Sequence, residues 1–536
     1  MKNLRLTGIM AASLLAASTG LSWGADFINE GIAYSLYEGE DEIAYVTFPD
    51  DDQADMVDYT GIINIPASFI QDGKEIKVEG IGQYAFRDCM MLTDVILPES
   101  IVEIGEGSFY NCTRLSSISL PESLKSIGDF SFYNCKLLES VVIPENITEL
   151  PRYSFTLCDN LKEVRIDGKI ERIEEYAFFK DNSLTSISFP EGLTSIGEQA
   201  FADCQKLENI SFPKSLKKIE NAAFSNNFSI KNLDFSGLDF IDMNVFAGCK
   251  GLEEIDLSKF SGQFIGSGAF KGCSGARKVL LPEIETLPSF LFSDCSGFES
   301  LELPEDLNSI GSYCFSGCYS IKEISIGSSV TNIDSYAFSG CSGVSAMEGL
   351  DHEMIIGEGA FQGMTGIKKL KICNVKDIPQ SAFAHCRSLE ELEINLGVER
   401  IEGWAFSDCP NLMTIYVEGL LPPVISINTF DIPTEQTAIV KVEPEAVAIF
   451  QQSAQWNRFL HIEGSSDLPW AGIETAVPAF ITISGGEVFA NGVGEIMVFD
   501  IQGRLCGIIG SGIDSMSLPK GIYILKSSGK TSKIKI

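Results

Sequence analysis

The amino-acid sequence predicts a solenoid of short parallel β-strands and turns, with a β-rich cap before it and a small β-sandwich after it. Three observations predict it. Sixteen phenylalanines recur every 22–24 residues, at Phe86, Phe109, Phe132, Phe155, Phe178, Phe201, Phe224, Phe246, Phe270, Phe292, Phe315, Phe338, Phe361, Phe383, Phe406 and Phe430. Within each period a short apolar run alternates, as at Val141 and Ile143, and a proline such as Pro144 often follows. The segments 26–75 and 473–536 lose the period but keep the alternation. A period of this length marks a unit too small to bury its own apolar side, so that stacking on the next unit supplies the core.

Taken in chain order, residues 1–25 read as a secretory signal peptide. Lys2 and Arg5 form a charged start, a short apolar run follows, and small residues at Ser22 and Gly24 precede cleavage near Gly24 or Ala25. The expectation is export, with no membrane insertion after signal removal. Residues 26–75 read as a β-rich N-terminal cap, since a solenoid exposes core at each end. The acidic stretch PDDDQADMVD, 49–58, lacks the glycine and terminal glutamate of a calcium-binding loop and reads as a solvated turn.

Residues 76–465 hold the repeats and their terminal cap. One unit is IGDFSFYNCKLLESVVIPENITE, Ile127 to Glu149. Val141 and Ile143 alternate at period two, which predicts a strand, and Pro144 ends it because proline cannot donate to a central ladder. SFYNC predicts a single helical or 3₁₀ turn. The second residue after the column phenylalanine is Asp, Asn or Gly in twelve of the first fifteen units, the residue types that best tolerate left-handed backbone. Each unit therefore reads as strand, turn, short extended piece and tight helical turn.

This skeleton, I-G-x-x-(small)-F-x-x-C-x-x-L-x-x-I-x-(I/L)-P, resembles the BspA-like leucine-rich repeat over most of the chain after the signal peptide. The resemblance implies a leucine-rich repeat solenoid used for attachment to host matrix proteins, host cells or other bacteria. The asparagine or cysteine that follows the strand in commoner leucine-rich repeats is absent, and proline takes over that turn. The segment VEPEAVAIFQQSAQWNRF is similar to the terminal cap of BspA-like proteins, with Trp456 and Phe459 closing the core. Residues 473–536 resemble the C-terminal sorting domain of the type IX secretion system of Bacteroidota, on Val498-Phe499-Asp500, Gly503-Arg504, Leu518-Pro519-Lys520-Gly521-Ile522-Tyr523 and Lys533/Lys535. That resemblance implies a secreted or outer-surface location and recognition of this segment by secretion machinery.

The composition narrows the function. A formal net charge of −35 argues against a nucleic-acid partner and against adsorption to anionic lipid. Twelve of the fifteen cysteines stand three residues after a column phenylalanine. Their in-register side chains point the same way, too far apart at Cβ for disulfides, and they read as buried, reduced packing thiols. Cys314 and Cys318 belong to two different columns and are not a pair. His352, His385 and His461 have no cysteine or histidine partners at zinc spacing, and no nucleophile–histidine–acid set is recognisable. The sequence therefore predicts no enzyme, no metal and no cofactor.

What remains is the surface. The residues eight and ten positions after each column phenylalanine face out of the strands and are mainly serine and acidic. The candidate binding residues are the variations and charged pairs in these columns: Arg165, Lys278, Leu280, Glu323, Ser325, Lys369, Lys371, Glu391, Glu393 and Tyr416. They point to an extracellular protein ligand. Polysaccharide or mucin glycan capture ranks second, because the strand columns offer almost no aromatic platform.

Overall fold

A computed structural model describes residues 25–37, 40–49, 59–260, 262–466 and 468–469, and between 481 and 535 the strands with Leu518. The signal-peptide segment, most of the acidic stretch and part of the sorting-like motif, Gly503-Arg504 and Pro519-Lys520-Gly521, lie outside the described residues. The chain divides into two units, Met1–Phe246 with Gly262–Phe264, and Ala247–Ser261 with Ile265–Ile536.

The first unit opens with an antiparallel meander, Phe27–Asn29, Ile32–Tyr37 and Glu40–Val46. The meander is joined in parallel to the strand Lys74–Ile81, which carries the hairpin strand Ser68–Gln71. Tyr34 packs on Phe69 with ring centroids 4.6 Å apart, and Tyr59 reaches Phe86, the first column ring, also at 4.6 Å. The repeats follow as coils of parallel strands. Ser140–Ile143, Glu163–Ile166 and Ser186–Ile187 pair in register, with Val141 opposite Val164 and Val164 opposite Ile187. The burial of Ser140–Ile143 alternates exposed, buried, exposed, buried, as a half-covered strand requires.

The piece read from sequence as a short extended connector builds a second parallel ladder. Glu149–Leu150, Arg172–Ile173, Ser195–Ile196, Lys218–Ile219 and Phe240–Ile241 stack two residues at a time, the second buried and the first turned outward. Each period thus has two strand faces rather than one.

The turn around the column phenylalanine is not a helical turn. Arg87 N–H and Cys89 N–H bond back to Tyr84 and Phe86, while Tyr84, Phe86 and Asp88 N–H reach forward to the carbonyls of Glu106, Ser108 and Tyr110 in the next coil. In-coil and between-coil bonds alternate along the turn. Two left-handed residues per coil make this possible. The residue two after the phenylalanine has positive φ in all fifteen coils from Asp88 to Asp408, including Leu157, Lys180 and His385. The residue two before it does likewise from Tyr84 to Trp404, a column rich in Tyr and Phe that ordinarily disfavours this conformation. Its aromatic members recover energy by stacking: Phe130 on Tyr153 and Tyr153 on Tyr176, each at 4.6 Å. At Gly107 the ring of Tyr84 fills the space a Cβ would need, so glycine there serves both the positive φ and the ring.

The column phenylalanines form the core. Those from Phe86 to Phe246 are buried and stack at 5.1–5.7 Å with interplanar angles of at most 12°. In the second unit Phe270 to Phe430 stack at 5.2–5.9 Å. The cysteine column lies beside this stack. No described cysteine is in a disulfide, and those of the column do more than fill space: Cys112, Cys135 and Cys318 donate S–H to the carbonyls of Phe86, Phe109 and Phe292. Asn227 replaces one cysteine and makes the same bond to Phe201 O at 2.8 Å.

The second unit carries a five-stranded parallel sheet of four-residue strands. Lys369–Ile372, Glu391–Ile394, Thr414–Val417, Ile439–Val442 and His461–Gly464 pair in parallel. Short helices Ile432–Thr437 and Val447–Gln452 and a 3₁₀ turn Trp456–Arg458 close the end. Trp456 is fully buried, donates Nε1–H to Pro423 O at 2.8 Å, and with Phe459 covers the last column ring. Arg458 pairs with the buried Glu435 at 2.7 Å. The C-terminal segment forms two antiparallel sheets, Ile481–Ser484 with Glu487–Ala490 and Ser515–Ser517, and Leu505–Ile509 with Ile496–Asp500, Ile522–Ser527 and Lys530–Lys535. Val488, Ile496, Val498 and Ile509 are buried.

Candidate functional site

The outward strand columns meet solvent because the intervening residues, such as Val164, Ile324, Leu370, Leu392 and Ile415, fill the core. The structure gathers five of the ten sequence-predicted residues on the five-stranded sheet. Lys369 stands opposite Glu391, which stands opposite Thr414. Lys371 stands opposite Glu393, which stands opposite Tyr416. Lys369 Nζ lies 2.9 Å from Glu391 Oε2, and this carboxylate holds the ammonium pKa above its ordinary value. Both lysines are exposed, while Glu391, Glu393 and Tyr416 are half-buried among their neighbours.

Sequence reasoning missed a member of this row. Lys441, on the strand Ile439–Val442, lies opposite Tyr416, and its Nζ sits 5.5 Å from the ring centroid, a cation–π distance. The signal was hidden because Lys441 falls where the 23-residue rhythm breaks, although the parallel ladder continues through it.

The remaining predicted residues are not part of this cluster. Lys278 and Leu280 lie opposite Glu254 and Asp256 on a two-stranded sheet, with Lys278 paired to Glu254 at 3.6 Å. Ser258 donates two hydrogen bonds to Asp256 and lowers its pKa. Leu280 is half-buried. Glu323 and Ser325 are exposed opposite Ala346 and Glu348. Arg165 is exposed in the first unit and held by Asp167 at 2.7 Å.

Arg165 instead marks the wall of a different feature, an open groove of about 610 Å³ in the first unit. Its floor and sides carry Ser186, Ser188, Asn209, Ser211 and Asn232, with Phe212 below. The ladder fails here. Ser186 and Asn209 share an isolated bridge, and residues 231–235 form no strand. The core beneath this stretch is unusual. Eleven residues after the column phenylalanine, most coils carry Leu, Ile or Val, as at Leu120, Ile143, Leu257, Ile372 and Val417, but three successive coils carry Phe189, Phe212 and Phe235. Phe212 wedges between neighbours, 5.7 Å from Phe224 and 6.3 Å from Phe189, and stays half-buried. Bulk at this position is one local source of strain on the ladder, which also lapses at 300–303 over Leu303.

Among the described residues no group of three or more His, Cys, Asp or Glu side chains is placed to hold a metal ion, and no helix is long and apolar enough to cross a membrane. His385 is tied to Asp408 at 2.9 Å beside Arg387, an ion cluster that holds the Asp408 pKa down.

Comparison with known proteins agrees with this geometry. The family model for the BspA type leucine rich repeat region (6 copies) matches residues 79–184, 172–299, 285–414 and 349–431. A leucine-rich repeat protein from Bacteroides ovatus is 24% identical, with 73% of this chain and 94% of that one covered and a TM-score of 0.55. A leucine rich cell surface protein from Faecalibacterium prausnitzii is 21% identical over 73% of this chain and 94% of that one, with a TM-score of 0.40. No curated protein matches the chain. Its phenylalanine and cysteine columns, its two strand ladders per coil and the family match over residues 79–431 lead to one conclusion: the chain belongs to the BspA type leucine-rich repeat family.

Proposed function

We propose that the protein is a non-enzymatic cell-surface or secreted binding protein that engages an extracellular protein ligand through the outward strand face of its repeats. The observation that carries this reading is the row on the five-stranded sheet: Lys369, Lys371, Glu391, Glu393, Tyr416 and Lys441 presented in strict register. An open strand face with both signs of charge around one aromatic ring suits a folded protein surface, where complementary charge sets orientation and the ring supplies an anchor. Host matrix proteins, host cells and other bacterial surfaces are the sources such a ligand comes from. The charged start and apolar run of residues 1–25 support export, and 473–536 supports handling by secretion machinery of the type IX kind.

The test presents the purified protein to arrayed matrix proteins and glycans beside Lys369→Glu/Lys371→Glu and Tyr416→Ala variants. A protein ligand lost in both variants is the expected result; a glycan-only signal overturns the reading. Protease shaving of intact cells checks location, and a fully protected protein contradicts surface display. The groove over Ser186 and Asn209 favours a second reading, capture of polysaccharide or mucin glycan.

A further inference from the structure

The groove in the first unit differs chemically from the charged row. Its central side chains, Ser186, Ser188, Asn209, Ser211 and Asn232, are uncharged, and each both donates and accepts hydrogen bonds. Vicinal sugar hydroxyls need that pairing, because every hydroxyl is itself donor and acceptor. Ser186, Ser188, Asn209, Ser211 and Asn232 are exposed, so their polar atoms are open to a ligand. Below them Ile210 and Phe212 are half-buried and give the groove an apolar floor for the C–H face of a pyranose.

Size and charge select further. A volume of about 610 Å³ falls within the range of small-ligand sites, whereas a stable protein interface needs roughly 800 Å² from each partner. The coils of Glu163, Ser186, Asn209 and Asn232 span three strand spacings, ~14 Å, the reach of a short oligosaccharide. Three carboxylates, Glu163, Glu191 and Glu208, stand around the groove against two cations, Arg165 and Lys231, and Arg165 is already bonded to Asp167. That balance disfavours sulfated or sialylated chains. It leaves carboxylates free to accept from neutral hydroxyls.

We infer that the groove over Ser186, Ser188, Asn209, Ser211 and Asn232 binds a neutral oligosaccharide. The inference rests on the second reading above and is independent of the protein-binding face.

The test uses the purified chain and saturation-transfer NMR with maltotetraose, cellotetraose, mannotetraose, triacetylchitotriose and a sulfated disaccharide. Asn209→Ala/Asn232→Ala removes two exposed amides, and an unchanged melting curve certifies the fold. The expected result is binding of at least one neutral probe, weakened about tenfold or more by the double variant and unchanged by Lys369→Glu/Lys371→Glu. Neutral-probe binding that survives the double variant overturns the groove site while leaving glycan capture standing. Absence of any neutral-probe binding at millimolar concentration, or binding of the sulfated probe alone, overturns the inference. If the double variant proves unstable, blockage by Ser211→Trp, placed on the exposed wall, gives the same discrimination.

Discussion

The two strand faces are built on one repeat and behave differently. In the second unit five strands from Lys369 to Gly464 pair without a register shift, and the face they present is charged. In the first unit the ladder lapses above three extra aromatic rings, and the face opens into a groove with uncharged side chains at its centre and charged ones around it. The difference lies partly in what stands beneath. Three successive phenylalanines at the inner position accompany the groove, although the same ladder also lapses at 300–303, where the inner residue is Leu303.

The comparison breaks most severely if a column ring is removed. Phe383→Ala, in the intact region, is expected to cost about 3–5 kcal/mol, because its ring is fully buried between Phe361 and Phe406. Phe212→Ala should cost clearly less, since that ring is half-buried where the strands are already parted. Hydrogen exchange resolved by coil is the suitable measurement, since a repeat array need not unfold in one step. Equal losses of protection would refute the account of the groove.

Arg458→Ala tests the closed end of the regular sheet. It leaves Glu435 buried without its partner and should cost about 3 kcal/mol, read as early loss of exchange protection over 432–464. Unchanged protection would show that Trp456 and Phe459 close that end unaided.

Asp181 gives the first unit a pH dependence of its own. It occupies a cysteine position, is fully buried, accepts from Cys158 N–H at 2.8 Å and has no partner for Oδ2. Burial pushes its pKa well above the carboxylate range. Above the ordinary value of ~3.9 the unfolded chain has released this proton and the folded chain holds it, so stability falls as pH rises. Asp181→Cys, which offers a thiol to the Phe155 carbonyl, should stabilise by about 1–3 kcal/mol near neutral pH, with the gain shrinking toward pH ~4. A gain independent of pH would mean the carboxyl is ionised in the fold.

The smallest effect sharpens the comparison most directly. Phe212→Leu should restore the inner residue typical of other coils, raise exchange protection of the amides at 209–212, and weaken any groove ligand, with little change in melting. Thiol labelling of the folded protein should reach Cys506, partly reach Cys89 and Cys373, and spare the buried set until denaturation. Rapid labelling of Cys135, whose thiol pKa burial raises, would contradict the packing described.

Much of this was legible in the sequence, for physical reasons that differ by column. The phenylalanine column announced the core because no other role keeps one large ring at a fixed interval. Asp, Asn and Gly after it announced left-handed backbone, since those residues bear it most cheaply. The matching column before it was silent: Tyr, Phe and Trp are residues of extended chain, and between-coil hydrogen bonds, with ring stacking at Tyr153, help hold Tyr153 and Trp404 at positive φ. The second ladder was missed because two residues, such as Arg172–Ile173, are too few to show alternation. The rings under the groove, Phe189, Phe212 and Phe235, were in plain view, but whether a coil pairs its strand depends on how much room the core leaves, which spacing does not encode.

The alternating turn bonds carry a consequence for how such a gene can change. Most coils hand three N–H groups to the next, as Tyr84, Phe86 and Asp88 do with Glu106, Ser108 and Tyr110. Copy number is therefore a neutral currency: gain or loss of a whole period rejoins every rung, whereas an internal deletion of a few residues orphans donors on both sides. Recombination between like coils can lengthen this protein, or move its groove along the array, without asking the fold to be solved again.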